Sequence, residues 1–372
     1  MSNSYVAYSG WIGHNNIGDE AIFESITQLF PNHEFVNANY VSSYDDLLIG
    51  GGTVLPNRGI LKTGPRAAYS NAAIGVGVRN PCFWNQRFGT FDVGYLLHKY
   101  KLSQLNNNQY IRYLLTGLEK EFDPILYQNH IIGIEAFDKT KQFDFDYLGV
   151  RGPISHCILN EHSIPNTISG DTALFLEPSN YVDSPSNKIA VTLRSGNYQW
   201  DKDGAYHRAV MKFCQRHQDE YEFVFLPFHP SDLQVNIHIM KKVKNAYLID
   251  HCSYVKVQDT LDVISGCDLM IGDKLHACVL AACCYVPFIS MEYRPKNLDF
   301  ACSVGMDQYN VRTDVVTSDI LEKLAQSLLD NPEIRKQLKN NVSYYRKQLV
   351  NFSNSIQNCI NSHQCRDQQT GV

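Results

Sequence analysis

The sequence predicts an α/β protein built from two parallel-sheet domains, and three observations support this prediction. The chain has 372 residues, more than one ordinary hydrophobic core requires. Short apolar runs alternate with segments of helical spacing in both halves, which is typical of β-α-β units. Residues 177–188 are rich in proline, asparagine and serine, as interdomain linkers often are. We therefore expect domains at residues 1–177 and 188–330 and a C-terminal helix at residues 331–363.

Three predicted strands in the first half end in glycine. These strands cover residues 5–8, 45–49 and 72–78. A single glycine at such a place usually marks only a tight turn. Three together favour one sheet edge at which the backbone can approach a ligand closely. The candidate substrate-binding residues at this edge are Asn16, Gly18, Gly51 and Gly52.

The remainder of the first half is less regular. Its predicted elements are a helix at residues 95–120, strands at 130–135 and 147–150, and a helix at 153–160. Residues 80–90 have the composition of an aromatic loop, which could line or cover a sugar pocket.

The second half repeats the alternation of strand and helix. Predicted strands are residues 189–193, 223–226, 247–249, 268–271 and 287–291, and predicted helices are 203–217, 233–244, 257–266 and 275–285. Lys274 and His276 fall where a strand meets the start of a helix, and Arg294 and Lys296 follow the next strand. Helix starts and cations both favour anions. The sequence therefore predicts a negatively charged ligand.

Composition excludes several other classes of protein. A formal net charge of −5 argues against nucleic acid as a partner. The 11 cysteines form no Cys-x-x-Cys pair, so we expect neither a disulfide framework nor a metal site. The glycine loops lack the spacing of a dinucleotide fingerprint or a P-loop. No signal peptide or membrane span is evident. We expect a cytoplasmic enzyme, and the sequence indicates no oligomeric state.

The predicted C-terminal helix carries several basic residues. They are Arg335, Lys336, Lys339, Arg346 and Lys347. This pattern favours a solvated packing helix over a helix that lies on a membrane. Peripheral contact with the inner face of the membrane remains open.

Several segments together resemble the polysaccharide pyruvyltransferase family. They are His14-Asn15-Asn16-Ile17-Gly18-Asp19-Glu20-Ala21, Asp46-Leu47-Leu48-Ile49-Gly50-Gly51-Gly52, Leu148-Gly149-Val150-Arg151-Gly152-Pro153-Ile154-Ser155, Gly170-Asp171-Thr172-Ala173-Leu174 and Asp268-Leu269-Met270-Ile271-Gly272-Asp273-Lys274-Leu275-His276-Ala277, with Tyr293 and Lys296 downstream. They keep the family's order over most of the chain. It is the set of segments, in this order, that is specific to the family.

The resemblance implies two Rossmann-like domains that face each other across a cleft, as in GT-B glycosyltransferases. It also implies transfer of a pyruvyl group from phosphoenolpyruvate to hydroxyls of a polysaccharide or lipid-linked sugar, which forms a ketal without any cofactor. Two positions depart from the family: Lys274 stands where arginine is usual, and Gly152 where aspartate is usual. Lysine keeps the charge but loses the two-pronged grip of arginine on phosphate or carboxylate.

Ketal formation requires a proton donor, an acceptor for the hydroxyl proton and cations for the donor's anionic groups. We assign His276 as the acid and Asp19 as the residue that activates the hydroxyl, a role that Glu20 and Asp171 could also fill. We place acceptor specificity in the irregular segment 56–90, on composition alone. Donor-binding candidates are Lys274 and Arg194, followed by Lys296 and Arg294.

Each of these assignments has a structural alternative. A histidine at a helix start often caps or packs, Arg194 could pair with an acidic neighbour, and Asp19 could serve only the helix dipole. We expect Arg151 and Ser155 to fix their own turn.

Two other functions fit the same predicted architecture. A glycosyltransferase would use Lys274 and Arg194 to hold the diphosphate of a sugar nucleotide, and the lysine in place of arginine keeps this alternative open. A glycan-binding protein without catalysis would tolerate changes at His276. We rank it last because the cations and the imidazole are all present.

Overall fold

Among the residues that a computed structural model describes, the protein forms two six-stranded parallel sheets, which confirms the predicted fold class. The structure describes residues 5–53, 55, 70–78, 145–161, 163–182, 185–195 and 204–370. The first sheet has the order β2-β1-β3-β4-β5-β6. Its strands are β1 (Tyr5–Ser9), β2 (Glu34–Asn37), β3 (Asp46–Gly50), β4 (Ser70–Val76), β5 (Tyr147–Val150) and β6 (Thr167–Ile168). Helices α1 (Ile17–Leu29) and α2 (Pro153–Glu161) accompany this sheet.

The second sheet has the order β12-β11-β10-β7-β8-β9. Its strands are β7 (Lys188–Thr192), β8 (Glu222–Phe225), β9 (Ala246–Leu248), β10 (Leu269–Gly272), β11 (Phe288–Glu292) and β12 (Asn310–Arg312). The helices of this half are α3 (Ala205–His217), α4 (Leu233–Met240), α5 (Val257–Ser265), α6 (Leu275–Cys283), α7 (Lys296–Val304) and α8 (Ser318–Leu329). Every described residue of α6 is buried, as expected of a helix that packs on both sides.

Helix α1 begins earlier than the hydrophobic spacing suggests, at Ile17 instead of residue 21. The reason is local capping: the Asn16 side chain accepts a hydrogen bond from Gly18 N at 3.1 Å. Glu20 then reaches back to accept a hydrogen bond from Gly13 N at 2.7 Å. The preceding loop is therefore shorter than predicted, and Glu20 stabilises it.

The C-terminal helix α9 (Glu333–Thr370) joins the two halves and is longer than the predicted segment 331–363. Arg335 near its start donates to Cys267 O in the second half, and Gln357 donates to Leu29 O in the first. The side chain of Arg346 is only 12% exposed and donates to three backbone carbonyls, those of Leu174, Leu176 and Cys283. Arg346 thus fixes α9 against the segment at residues 174–176 and the end of α6.

The segment between the sheets is held in place by side-chain contacts. Ser179 donates through its backbone N–H and its hydroxyl to Asp262, and the ring of Tyr181 stacks on Tyr285 with centroids 4.6 Å apart. These contacts concern residues 177–182 and 185–188, the described part of the predicted linker. The domain boundaries proposed from it stay a prediction.

Gly152, where the related motif usually has aspartate, makes room for a carboxylate from the other half of the chain. A Cβ on Gly152 would overlap the backbone oxygen and carboxylate of Asp299 in α7. Asp299 accepts hydrogen bonds from Ile154 N at 2.9 Å, Ser155 N at 3.2 Å and Ser155 Oγ at 2.6 Å. It therefore caps the N-terminus of α2 across the domain boundary.

We expect Asp299→Ala to lower the free energy of unfolding by about 2 kcal/mol, because α2 loses its cap and the buried Ser155 hydroxyl its acceptor. Chemical denaturation measures this change. Asp259→Ala, which removes an exposed acid from the first turn of α5, is the control and should cost little. The double variant Gly152→Asp/Asp299→Ala should recover part of the loss. Unchanged stability of Asp299→Ala would contradict the capping role.

Some expectations lie outside the described residues. They are the helix at 95–120, the strand at 130–135, the loop at 80–90 and all of segment 56–90 except residues 70–78. Among the helices that the structure describes, none combines the length and the apolar character needed to cross a bilayer.

Candidate active site

The carboxyl ends of both sheets open onto one cleft of about 670 Å³. Parallel strands place all their carboxyl ends at one edge, and here the two edges face each other. All but one of the predicted site residues line this cleft: Asn16, Asp19, Gly51, Gly52, Arg194, Lys274, His276, Arg294 and Lys296. The structure thus brings together residues that lie far apart in the sequence.

Gly18, predicted to bind substrate, is the exception. It is buried in the first turn of α1, and a Cβ at this position would overlap the imidazole of His276. Glycine is required here because the second half of the molecule packs its histidine directly against the helix. That Gly18 contacts substrate stays a prediction, and the contribution that the structure shows is the space it leaves for His276.

His276 projects from the first turn of α6 into the first domain. Its Nε2 lies 3.9 Å from Asp171 Oδ2, and its side chain is 11% exposed. Burial lowers the pKa of His276 to about 3. Asp171 acts against burial and raises this pKa, whereas the positive charges of Arg151, Lys296 and Lys274 lower it further. In this environment the imidazole is neutral, whereas the acid role predicted for His276 needs its protonated form.

Two carboxylates hold the cationic loops of the second domain. The Asp232 Oδ2 atom lies 2.8 Å from Lys274 Nζ, and the buried carboxylate of Asp273 accepts a hydrogen bond from Arg194 N at 3.0 Å. This hydrogen bond is made by the backbone N–H of Arg194, so it does not test whether the Arg194 side chain pairs with an acid across the cleft. These contacts fix the ends of β7 and β10, so both side chains enter the cleft from defined positions.

Asp19 stands opposite these cations, in the first turn of α1. Burial raises the pKa of the Asp19 carboxyl to about 6, although Lys296, Lys274 and Arg151 act in the opposite direction. A carboxyl that titrates near neutral pH can accept a proton from a bound hydroxyl and later release it. The position supports the predicted role of Asp19 more directly than the sequence did.

Arg151 is a site residue that sequence reasoning assigned to its own turn. Its Nε atom lies 2.6 Å from Asp171 Oδ2, and the two side chains are 1% and 0% exposed. Its Nη1 has no hydrogen-bond partner among the described residues, and Arg151 lines the cleft. The same Asp171 therefore positions Arg151 and His276, one from each half of the molecule. A buried arginine with an unused donor at the cleft can hold an anion.

Tyr293 also lines the cleft, directly after β11. The Arg194 guanidinium carbon lies 4.3 Å from the centroid of its ring, Lys296 Nζ 5.2 Å and the Arg294 guanidinium carbon 5.4 Å. The sequence showed Tyr293 beside Arg294 and Lys296, which was a signal for a functional role. The contribution of Arg194, from another strand, was not visible there.

The described residues contain no group of histidine, cysteine and acidic side chains suited to a metal ion. The fold and the cleft define a two-domain α/β protein with a GT-B-like arrangement and a cationic site between its domains. Residues 134–295 match the family model of polysaccharide pyruvyl transferases. This match confirms the family resemblance over that part of the chain.

One solved structure with a TM-score above 0.5 supports the fold, and two others are reported as similar at lower scores. The chain is 13% identical to a protein described as the glycotransferase of kitacinnamycin, with a TM-score of 0.51 over 96% of this chain and 100% of that one. S. aureus MnaA, solved with UDP, is 10% identical with a TM-score of 0.47, covering 95% of this chain and 96% of that chain. UDP-GlcNAc 2-epimerase from Neisseria meningitidis is 12% identical with a TM-score of 0.41, covering 96% of this chain and 99% of that chain. No curated protein sequence matches this chain.

Proposed function

We propose that the protein transfers the pyruvyl group of phosphoenolpyruvate to two hydroxyls of a polysaccharide or lipid-linked saccharide and forms a pyruvate ketal. The family match over residues 134–295 supports the reaction class. The observation that carries the donor assignment is the set of cations around the cleft: Arg151, Arg194, Lys274, Arg294 and Lys296. No cofactor is part of the proposal, and we place the reaction in the cytoplasm, with membrane contact of the acceptor left to its lipid carrier.

The charge of the cleft suits a small donor with a carboxylate and a phosphate. Lys274 and Arg194 enter from the second domain, and the buried Arg151 approaches from the first. Two anionic groups on one small molecule can therefore be held from opposite sides. This arrangement binds the donor while charge moves from the breaking carbon–oxygen bond to the departing phosphate.

The acceptor hydroxyl is assigned to the side of the cleft formed by α1 and the glycine turn after β3. Gly51 and Gly52 there have positive φ angles of 60° and 76°, so the turn keeps its shape only with glycine. Asp19 lies at the same side and is suited to take the hydroxyl proton. His276, neutral and held between Gly18 and Asp171, supplies a hydrogen bond to the donor.

Calorimetric titration with phosphoenolpyruvate tests this function. We expect the wild-type protein to bind it and Lys274→Met to bind it 10- to 100-fold more weakly, because a charge-assisted contact of about 1.5–3 kcal/mol is lost. Lys274→Arg, which introduces the residue usual in the related motif, should retain binding. Formation of a ketal from donor and saccharide, followed by the methyl signal in proton NMR, provides the catalytic readout.

Two controls make the binding result specific. Lys256→Met removes a lysine that is 52% exposed and pairs with Asp259 on the far helix α5, so its affinity should equal that of wild type. Thermal melting of Lys274→Met separates lost binding from lost folding, because this variant leaves the buried Asp232 without its cation. If a sugar nucleotide binds and phosphoenolpyruvate does not, the protein is a glycosyltransferase of this architecture instead.

A further inference from the structure

Tyr293 lines the cleft, and three of the cleft's cations lie near its ring. It follows β11 immediately, is 5% exposed and lines the cavity. Arg194 reaches its ring from the loop after β7, and Lys296 from the start of α7. Residues from separate elements thus converge on one hydroxyl-bearing ring.

These neighbours change the ionisation of the phenol. Burial alone would raise the pKa of Tyr293, but Lys296, Arg194, Arg294 and Lys274 outweigh burial and lower this pKa to about 8. Across the cleft, Asp19 and Arg151 face the same cations. Behind them, Asp273 contacts the Arg194 backbone and Asp232 pairs with Lys274. By contrast, burial raises the pKa of Tyr345, outside the cleft, to about 12.

The other titratable groups of the cleft are less suited to donate a proton. The pKa of His276, lowered mainly by burial to about 3, leaves its imidazole neutral at physiological pH. The pKa of Asp19, raised by burial to about 6, leaves its carboxylate mostly ionised and able to accept a proton. Tyr293 combines a proton at neutral pH with surroundings that stabilise the anion left behind.

We propose that Tyr293 is the catalytic acid that protonates the methylene carbon of the donor, an assignment that rests on the proposed pyruvyl transfer. The proton passes from the Tyr293 hydroxyl to the methylene carbon, which becomes a methyl group. The oxygen of the first saccharide hydroxyl bonds to the adjacent carbon, and its proton passes to Asp19.

The second half of the reaction restores both groups. The bond between this carbon and the phosphate oxygen breaks, and the phosphate leaves with the proton held by Asp19. The second hydroxyl oxygen then bonds to the same carbon and closes the ketal ring. Its proton returns to the Tyr293 phenolate. One donor and two hydroxyls give one ketal and one phosphate, and no oxidant or reductant is needed.

Binding of the anionic donor prepares Tyr293 for this role. The donor's charges compensate the cations that stabilise the phenolate, so the phenol regains its proton when the donor is bound. Binding above pH 8 must therefore take up a proton. After the phosphate leaves with its charge, the same cations stabilise the phenolate again until the second hydroxyl reprotonates it.

Near-ultraviolet titration and calorimetry of Tyr293→Phe test the assignment. We expect the difference spectrum, wild type minus Tyr293→Phe, to show a phenol that ionises near pH 8. The difference spectrum of wild type minus Tyr345→Phe should show no ionisation near this pH. At pH 8.5, titration with phosphoenolpyruvate in buffers of different ionisation enthalpy should show proton uptake that falls in Tyr293→Phe. Because phenylalanine keeps the ring beside the cations, kcat should fall 10²- to 10⁴-fold with little change in the KM of the donor.

The outcomes separate this assignment from the proposed function. A Tyr293→Phe variant that forms ketal within a few-fold of the wild-type kcat would overturn the assignment and leave the pyruvyl transfer intact. If no tyrosine that is lost in Tyr293→Phe ionises near pH 8, the assignment is likewise overturned and the pyruvyl transfer is left intact. If the wild-type protein forms no ketal from phosphoenolpyruvate, the proposed function fails and the role of Tyr293 with it. Tyr345→Phe, with normal activity, confirms that loss of a buried tyrosine alone is tolerated.

Discussion

Arg151→Met is expected to lower the free energy of unfolding by about 3–5 kcal/mol, because it removes one partner of a fully buried ion pair. Asp171 is 0% exposed and would keep its negative charge without its cation. The same carboxylate also accepts a hydrogen bond from Ala173 N at 3.1 Å and lies 3.9 Å from His276 Nε2. The loss should therefore also disturb the contact between the two domains.

Chemical denaturation measures this change, and Arg216→Met is the matched control. Arg216 is 47% exposed and pairs with Asp319 and Glu322 on the surface, where such pairs contribute at most about 1 kcal/mol. The double variant Arg151→Met/Asp171→Asn removes both charges and should recover part of the loss. Equal stabilities of Arg151→Met and Arg216→Met would contradict the importance of the buried pair.

The pH dependence of kcat/KM is expected to be bell-shaped, with limbs near pH 6 and pH 8. Asp19 must be ionised to accept the hydroxyl proton, so activity rises as the pH passes the pKa of about 6 that burial gives this carboxyl. Tyr293 must be protonated, so activity falls above the pKa of about 8 at which the surrounding cations, against burial, hold this phenol. Steady-state kinetics across this range measures both limbs.

Asp19→Asn tests the acidic limb and should lower kcat/KM by about 10²- to 10⁴-fold. The remaining activity should no longer rise near pH 6. Asp259→Asn, which changes another first-turn acid outside the cleft, is the control and should keep the profile. An unchanged acidic limb in Asp19→Asn would assign it to another group.

Asp19→Asn should raise the stability of the protein, although it lowers the activity. Burial raises the pKa of Asp19 from 3.8 to about 6, so the folded protein disfavours its ionised form. A carboxyl with a raised pKa costs stability as pH increases from about 4 to 6. Asp19→Asn removes this cost, and we expect a higher melting temperature at pH 7. A gain in stability together with lost activity is the pattern of a functional residue that the fold does not need.

Local sequence patterns were enough to predict most of the fold. The alternation of apolar runs and helical segments predicted the second sheet, and the glycines after β3 predicted a turn that approaches the cleft. Because parallel strands place their carboxyl ends at one edge, the residues after these strands could be assigned to one site. Lys274, Arg194, Arg294 and Lys296 all line the cleft for this reason.

The two α/β halves, the cationic character of the site and a candidate for its base could thus be predicted, since these depend on neighbouring residues. Three contacts became visible only in the folded chain: Asp299 caps α2 beside Gly152, Gly18 leaves space for His276, and Arg194 lies over Tyr293. Each of these contacts joins residues far apart in the chain. Burial and electrostatic neighbours, which set the protonation of His276, Asp19 and Tyr293, exist only once both domains are in place.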